Sequence, residues 1–424
     1  MKDAEVSHIY LVGIGGIGMS ALAQLLAARG IHVSGSDREE SPVTELLKSK
    51  GVNIFVGHDA SHLPGDTELL VYSDAVPAEN PERRSAFEKK IPQISYFEML
   101  GRVSKKMRTI AVSGTHGKTT VTGMLAAILK DAGKEPTAVV GSIVRDFGSN
   151  FLEGKNELFV VEACEYREHL LELTPEILVI TNIELDHTDF FPSLIALQDT
   201  FREAVQKVPS HGVIIANPSD PHVAEVLIGA KARVVDYTQK AVGTLQLLGE
   251  FNRENARAAL AAALAIAPDI SQEAAVHTLS QFQGSWRRFE YKGETPNGAL
   301  VYDDYAHHPT AVAKTVIASR DKFPGMRIVV VFHPHLHSRT ASFLQGFADA
   351  LDLADRAIVA PIYEARTEKT HAVSNHSVAE AGEHVEAMDS FDEIRDALLE
   401  EKEGTLIITM GAGDIYKVAE QIVA

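Results

Sequence analysis

The chain has 424 residues, more than one hydrophobic core can serve, and a prior of about 150 residues per domain points to roughly three domains. Hydrophobic residues at 45%, charged residues at 23% and 30 glycines exclude a disordered or fibrous chain. The 40 Lys and Arg against 58 Asp and Glu leave a net charge of -18, which excludes a general attraction to nucleic acid or an anionic membrane and leaves room only for a local basic pocket.

The start, Met1-Lys2-Asp3-Ala4-Glu5, runs straight into an apolar strand pattern. No apolar run reaches the about 18 residues of a membrane span, so a soluble, unexported protein is expected. The single cysteine, Cys164, has no internal disulfide partner, in keeping with a reducing cytoplasm. Strands are expected at residues 8–12, 31–34 and 53–56, with a helix over about 17–29 after the first. That alternation means parallel βαβ units. Further strands follow at 69–72 and 93–95, and the charged stretch 102–108 precedes another at 109–113. A first domain of residues 1–107 results. The second, residues 108–287, carries strands at 158–162, 177–181 and 212–216 and an Ala-rich helix over about 254–266. The third, residues 288–424, alternates again, with strands at 300–304, 327–332, 356–360 and 405–410. No period of 20 to 50 residues recurs, which excludes a solenoid. The expected fold class is α/β, with three domains in a row: a Rossmann-like N-terminal domain, a central P-loop domain and a Rossmann-like C-terminal domain.

Gly13-Ile14-Gly15-Gly16-Ile17-Gly18 follows the first strand and opens a helix, and Asp37 ends the second strand. In this dinucleotide fingerprint a diphosphate sits on the helix N-terminus and the acid bonds a ribose hydroxyl. NAD and a UDP-sugar satisfy it equally.

Ser113-Gly114-Thr115-His116-Gly117-Lys118-Thr119-Thr120 lies between a strand and an apolar helix. Glycines there let backbone N–H groups turn toward phosphate oxygens, Lys118 reaches the outer phosphates and the Thr119 hydroxyl suits Mg²⁺. Val112 stands where the longer P-loop pattern has glycine, so the match is to a shortened variant. Glu162 and His187, each just past a strand, are the metal-ligand candidates, because ligands gather at the carboxyl ends of strands in open α/β sheets.

Asp303-Asp304-Tyr305-Ala306-His307-His308-Pro309 follows one late strand, and His333-Pro334-His335-Leu336-His337-Ser338-Arg339-Thr340 follows another. Alternation of His333, His335 and His337 invites a zinc site, but the three fall past the strand end with no cysteine or acid beside them. A binding role with Arg339, facing carboxylate or phosphate, is preferred.

In their order these segments resemble the Mur ligases, bacterial cytoplasmic enzymes that add amino acids to the UDP-N-acetylmuramyl precursor of peptidoglycan. The resemblance runs end to end. It rests on Gly-Ile-Gly-Gly-Ile-Gly-Met-Ser at 13–20, Gly-Thr-His-Gly-Lys-Thr-Thr at 114–120 and Thr-Asn-Ile with Asp-His at 181–187. Gly249 with Asn252 and Asn255, and Arg287-Arg288-Phe289-Glu290, complete it. It is strongest toward the members that use L-alanine, through Asp-Asp-Tyr-Ala-His-His-Pro, Pro-His-x-x-Ser-Arg-Thr and Gly411-Ala412-Gly413-Asp414-Ile415-Tyr416.

The resemblance implies an ADP-forming ligase that consumes ATP with two Mg²⁺ ions and joins L-alanine to UDP-N-acetylmuramate, as a monomer or homodimer, without nucleic acid or membrane. It implies that Gly114, Thr115, His116, Gly117, Lys118, Thr119 and Thr120 hold the phosphates, and that Thr119, Glu162 and His187 hold the metal. Asn252, Asn255 and Asp304 complete the ATP site. Gly13, Gly15, Gly16, Gly18, Ser36, Asp37 and Ser73 hold UDP, and Tyr305, His307, His335 and Arg339 position the amino acid and the reacting phosphate. Catalysis falls to Lys118, Glu162, His187, His335 and Arg339.

Two departures stand out. Cys164 replaces an acid that is usual between Glu162 and Glu165, and it reads as a small filler rather than a metal ligand or nucleophile. Leu336 replaces an arginine that would meet a carboxylate. The competing readings are a related ligase that adds a whole tripeptide, an NAD-dependent dehydrogenase and an inactive nucleotide-binding protein.

Overall fold

The computed structural model describes residues 6–364, 368 and 372–423, so the start at Met1 to Glu5 lies outside the described residues. Three sheets follow one another along the chain. Their central strands are apolar runs buried on both faces, the signature of parallel sheets covered by helices.

The first sheet is wholly parallel, in the order Asn53–Val56, His32–Asp37, His8–Val12, Leu69–Tyr72, Gln93–Ser95. Strand order reverses between His8–Val12 and Leu69–Tyr72, and a crevice is expected at the carboxyl ends of such a pair. Gly13 and Ser73 stand at those ends.

The second sheet has seven strands, in the order Arg233–Asp236, Val213–Ala216, Ile177–Ile180, Arg108–Ser113, Leu158–Glu162, Thr137–Val144, Ser149–Leu152. Only Ser149–Leu152 runs antiparallel. The third has six strands, in the order Glu290–Glu294, Leu300–Asp304, Thr405–Met410, Arg327–Phe332, Arg356–Val359, Val385–Ala387, and the first of these is antiparallel. Five strands escape the sequence reading: Thr137–Val144, Ser149–Leu152, Arg233–Asp236, Glu290–Glu294 and Val385–Ala387. Four lie at a sheet edge: Arg233–Asp236, Glu290–Glu294 and Val385–Ala387 are half exposed and lose the apolar run, while Ser149–Leu152 is buried but begins with the polar pair Ser149-Asn150. The fifth, Thr137–Val144, is broken by Gly141, whose Cβ position is filled by the Glu162 carboxylate.

Helix Ile17–Ala28 presents a face of small residues, and with it the first sheet packs directly on the second. Asn150 Nδ2 donates to Ile17 O at 2.6 Å and Ser20 Oγ at 2.9 Å, and Gln24 Nε2 donates to Asn150 Oδ1 at 3.0 Å. One apolar cluster runs without interruption from Ile9 and Leu22 to Phe159 and Phe201. The third sheet keeps cores of its own, on its two faces. It is tied back through Arg287, whose buried guanidinium donates to Asp303 Oδ2 at 2.8 Å, Gly413 O at 2.8 Å and Gly411 O at 2.6 Å. Loops of the second and third sheets line one cleft between them.

Candidate active site

Strand Arg108–Ser113 ends in a loop whose glycines take conformations closed to other residues, Gly114 at φ +126° and Gly117 at φ +85°. A Cβ on Gly114 would lie 2.1 Å from Thr181 Oγ1, and one on Gly117 2.2 Å from Asn255 Oδ1. The Thr181-Asn182 segment holds the loop in shape. Thr115 N donates to Asn182 O at 3.0 Å, His116 N to Asn182 Oδ1 at 2.9 Å, and Thr181 Oγ1 to His116 O at 2.6 Å. Gly117 caps helix Lys118–Asp131, whose first amides and dipole face the cleft.

Lys118 Nζ donates to Gly114 O and to both oxygens of Glu165, at 2.9 and 3.0 Å. Burial pushes the ammonium pKa down, but the Glu165 charge and hydrogen bond, with the other negative groups around it such as Glu162, together outweigh it and leave Lys118 above its ordinary value. Glu165 is completely buried; burial raises its carboxyl, and Lys118 with His187 brings it below the usual carboxylate range. Glu162 accepts from Thr119 Oγ1 at 3.0 Å and from Gly141 N at 2.7 Å. His187, held at φ +52°, places Nε2 3.5 Å from Glu165 Oε1. Lys118, Thr119, Glu162 and His187 therefore gather at one end of the cleft. The donor set there, two carboxylates, a hydroxyl and an imidazole, fits Mg²⁺ bound with a nucleotide. Cys164 lines the same cleft, and burial together with the Glu165 charge pushes its thiol up to about 12. A thiol that stays protonated is a poor nucleophile and a poor ligand.

The opposite wall comes from the third sheet. Arg288 Nη2 donates to Thr119 Oγ1 at 3.2 Å, while its buried Nε has no hydrogen-bond partner. An orphaned guanidinium N–H beside a phosphate-binding loop is a place for an anion. Asp304 accepts from Phe289 N and Ala306 N, both at 2.7 Å, and burial pushes its carboxyl up to about 6. Asn252 and Asn255 sit on helix Glu250–Ile266; Asn252 Nδ2 donates to Leu248 O at 2.7 Å and Asn255 Nδ2 to Asn252 Oδ1 at 3.1 Å. Leu247, Phe251, Ala258 and Lys314 line that end of the cleft, an apolar slot for a base.

Tyr305, His307, His335 and Arg339 are brought together. The His307 ring centroid lies 5.2 Å from Tyr305 and 6.1 Å from His335, and Arg339 Nη1 lies 3.1 Å from His335 Nδ1. Burial and the Arg339 charge drive His307 well below the ordinary histidine value, so it is neutral. Arg339 meets Asp186 Oδ1 through Nη2 at 2.6 Å and Nε at 3.0 Å, a pair joining the second sheet to the third. His333 and His337 take no part. His333 is buried against Tyr363 and Phe391, and His337 begins helix His337–Ser342 with its ring on Val373 O. Leu336 is also buried, at φ +66°, so its position offers the cleft no cation.

At the first sheet, Gly13 takes φ +81° and donates to Ser36 O at 2.8 Å. A Cβ on Gly13 would touch Ser73 Cβ at 3.1 Å, and one on Gly18 would meet the Tyr96 hydroxyl at 2.8 Å. Gly16 caps helix Ile17–Ala28. Asp37 Oδ2 accepts from Gly15 N at 2.7 Å, so a carboxylate holds one amide of the glycine loop. Ser36 Oγ lies 3.2 Å from His58 Nδ1, which also faces the buried Glu82 at 2.9 Å.

Residues that the sequence reading quoted without a role, Glu165, Asn182, Asp186 and Arg288, thus stand in the site. Asp186 adjoins His187, which is the one local signal among them; Glu165 stands three residues after Glu162, and neither neighbour of Arg288 has an assigned role.

The model of the Mur ligase family, catalytic domain, matches residues 8–108; that of the Mur ligase middle domain matches 112–244; and that of the Mur ligase, glutamate ligase domain, matches 287–413. The UDP-N-acetylmuramate--L-alanine ligase of Caldicellulosiruptor saccharolyticus is 36% identical, across 98% of both chains. Among solved structures, the UDP-N-acetylmuramate-alanine ligase MurC of Thermotoga maritima superposes with a TM-score of 0.79 at 28% identity over 98% of each chain. The murein peptide ligase of Psychrobacter arcticus does so at 0.76 and 26% identity, over 99% of this chain and 100% of its own. Ordered motifs, three sheets and matches that cover the whole length agree: the chain belongs to the Mur ligase family.

Proposed function

We propose that this chain joins L-alanine to the lactyl carboxylate of UDP-N-acetylmuramate, converting ATP to ADP and phosphate, in the synthesis of peptidoglycan precursors. The relatives that match its full length carry that activity in their names. The observation that carries the reading is the facing of Lys118 and the orphaned Arg288 Nε across one cleft, beside the Glu162 and His187 ligand set.

The carboxylate oxygen attacks the γ-phosphorus, the bond to ADP breaks, and an acyl phosphate forms. Lys118, Arg288 and the amides of Gly114 to Thr120 hold the transferring oxygens. Bound Mg²⁺, taken by Thr119, Glu162 and His187, supplies further charge stabilisation. The amine then attacks the activated carbonyl, and the carbon–oxygen bond to phosphate breaks. His307 Nδ1 lies 2.8 Å from Tyr305 O, a carbonyl that can only accept. The proton therefore sits on Nδ1, and Nε2 is left as the acceptor for a proton from the amine. Asn252, Asn255 and Asp304 hold the nucleoside, and Gly13, Gly15, Gly16, Gly18, Ser36, Asp37 and Ser73 hold UDP. Tyr305, His335 and Arg339 orient the amino acid.

Among the described residues no helix is long and apolar enough to cross a membrane, and the setting proposed is the bacterial cytoplasm, as monomer or homodimer. A substrate panel tests the function. With ATP, Mg²⁺ and UDP-N-acetylmuramate present, phosphate release is expected on adding L-alanine, exceeding that with glycine, L-serine or a tripeptide. Release that depends on the tripeptide and not on alanine would transfer the assignment to the peptide-adding members.

A further inference from the structure

Apart from the residues assigned to Mg²⁺, three ligand atoms converge between the phosphate-binding loop and the third sheet. His116 Nε2, Glu184 Oε2 and His308 Nδ1 lie within 4.8 Å of one another. The separations are 3.2 Å from His116 to Glu184 and 3.8 Å from His308 to Glu184. Two ligands about 2.0–2.1 Å from a tetrahedral ion stand about 3.3 Å apart, so the two pairs with Glu184 need shifts of at most about half an ångström, while the two imidazoles, within 4.8 Å of each other, close on the ion by up to about 1.5 Å.

The surroundings are organised for this. His308 Nε2 lies 3.2 Å from Leu185 O; since a carbonyl only accepts, the ring proton is on Nε2 and Nδ1, 3.8 Å from Glu184 Oε2, carries the lone pair. A ligating imidazole that donates its other N–H to a carbonyl is the usual outer support of a metal-bound histidine. That Nδ1 makes only a long bond, 3.3 Å, with Thr310 N. Glu184 is fixed at its backbone, its N donating to Thr115 Oγ1 and its O accepting from it, both at 2.9 Å. The His308 side chain is 7% exposed and that of His116 20%, so the imidazoles are largely withdrawn from water.

We propose that His116, Glu184 and His308 form a second metal site, selective for Zn²⁺ or a similar transition-metal ion over Mg²⁺, with water as the fourth ligand. Two imidazoles with one carboxylate favour zinc, whereas Mg²⁺ demands oxygen ligands in octahedral array. His116 belongs to the phosphate-binding loop and His308 caps helix Pro309–Lys322 of the third sheet. A bound ion therefore ties the two walls of the cleft together. On the ligase reading, which this consequence alone rests on, zinc slows turnover because the cleft must open to release ADP.

The test is a zinc titration of the metal-free full-length protein in competition with a chromophoric chelator, carried out in wild type and in His187→Ala, which removes a ligand from the Mg²⁺ set. One zinc of micromolar or tighter affinity is expected in both. Glu184→Gln and His308→Asn should each weaken it at least tenfold; asparagine still offers a cap to Thr310 N, so helicity and melting temperature should hold in the second. Absence of a zinc site in wild type, its disappearance in His187→Ala, or affinity unchanged within twofold in both Glu184→Gln and His308→Asn would each overturn the site. With excess Mg²⁺ present, the zinc concentration that halves phosphate release should rise at least tenfold in His308→Asn. An unchanged value would remove the brake and leave the site standing. Failure of the ligase assay would leave the zinc titration interpretable.

Discussion

Asp304 illustrates how one residue answers to burial rather than to its motif. Its two backbone donors favour the carboxylate, yet burial dominates and its pKa rises from 3.8 to about 6. The sign follows from linkage: between those values the folded protein binds more protons than the unfolded chain, so this group's contribution to stability falls as pH rises from about 4 to about 6. In Asp304→Asn the contribution is absent. The melting temperature of wild type minus that of the variant should therefore decrease across this window, and an increase would contradict the burial argument. The sequence marks Asp304 as a candidate, and the fold puts it in the cleft wall; its altered acidity is not legible there, since it depends on what covers the strand end. Glu165 is the complementary case. It stands three residues from Glu162 with no distinguishing local pattern, and only its 2.9 Å approach to Lys118, 47 positions away, gives it a role. Cys164 between them lines the cleft, and burial with the Glu165 charge pushes its thiol up to about 12.

Among the elements, the segment from Thr181 to Phe191 does the most to join the parts. Its first residues shape the phosphate-binding loop, and its later ones reach the third sheet through Leu185 O to His308 and through Asp186 to Arg339. Asp186 and Arg339 are both about 5% exposed. Burial alone would raise the Asp186 carboxyl; Arg339 instead holds it well below the ordinary range. Removing one partner of such a buried pair leaves the other charge stranded, at a cost of about 3–5 kcal/mol. Asp186→Ala is therefore expected to lower the melting temperature and to enlarge the radius of gyration of the ligand-free protein in small-angle scattering, as the third sheet separates from the second. Asp186→Asn combined with Arg339→Met should recover part of the loss. A scattering curve unchanged in Asp186→Ala would show that other contacts hold the third sheet in place. The strand ending at Ile180 was visible in its apolar run, and Asp186-His187 in its motif. That the segment bridges two sheets was not, because its partners lie more than a hundred residues away.

Across the whole molecule, the three sheets are unequally joined. The first two share a continuous apolar cluster and the buried Gln24, Asn150 and Ser20 hydrogen bonds, while the third has separate cores and meets the others through polar and charged groups. Apolar contact couples unfolding and polar contact permits movement, so calorimetry should resolve two transitions, the larger for the first two sheets together. Asn150→Ala removes a buried partner of Ser20 and Gln24, worth about 1–3 kcal/mol, and should lower the larger transition without moving the other. A single transition that shifts as a whole would mean that the third sheet is equally coupled. Local pattern suffices for the α/β class, for most central strands and for both glycine loops, because strands buried on two faces read as apolar runs and tight turns toward phosphate demand glycine. Four of the six edge strands and the pairings of charge lie beyond it. Lys118 with Glu165 arises between neighbouring strand ends of one sheet, and Asp186 with Arg339 and the cluster of His116, Glu184 and His308 where the second sheet meets the third; these groupings depend on distance and burial that no neighbouring residue in the chain records.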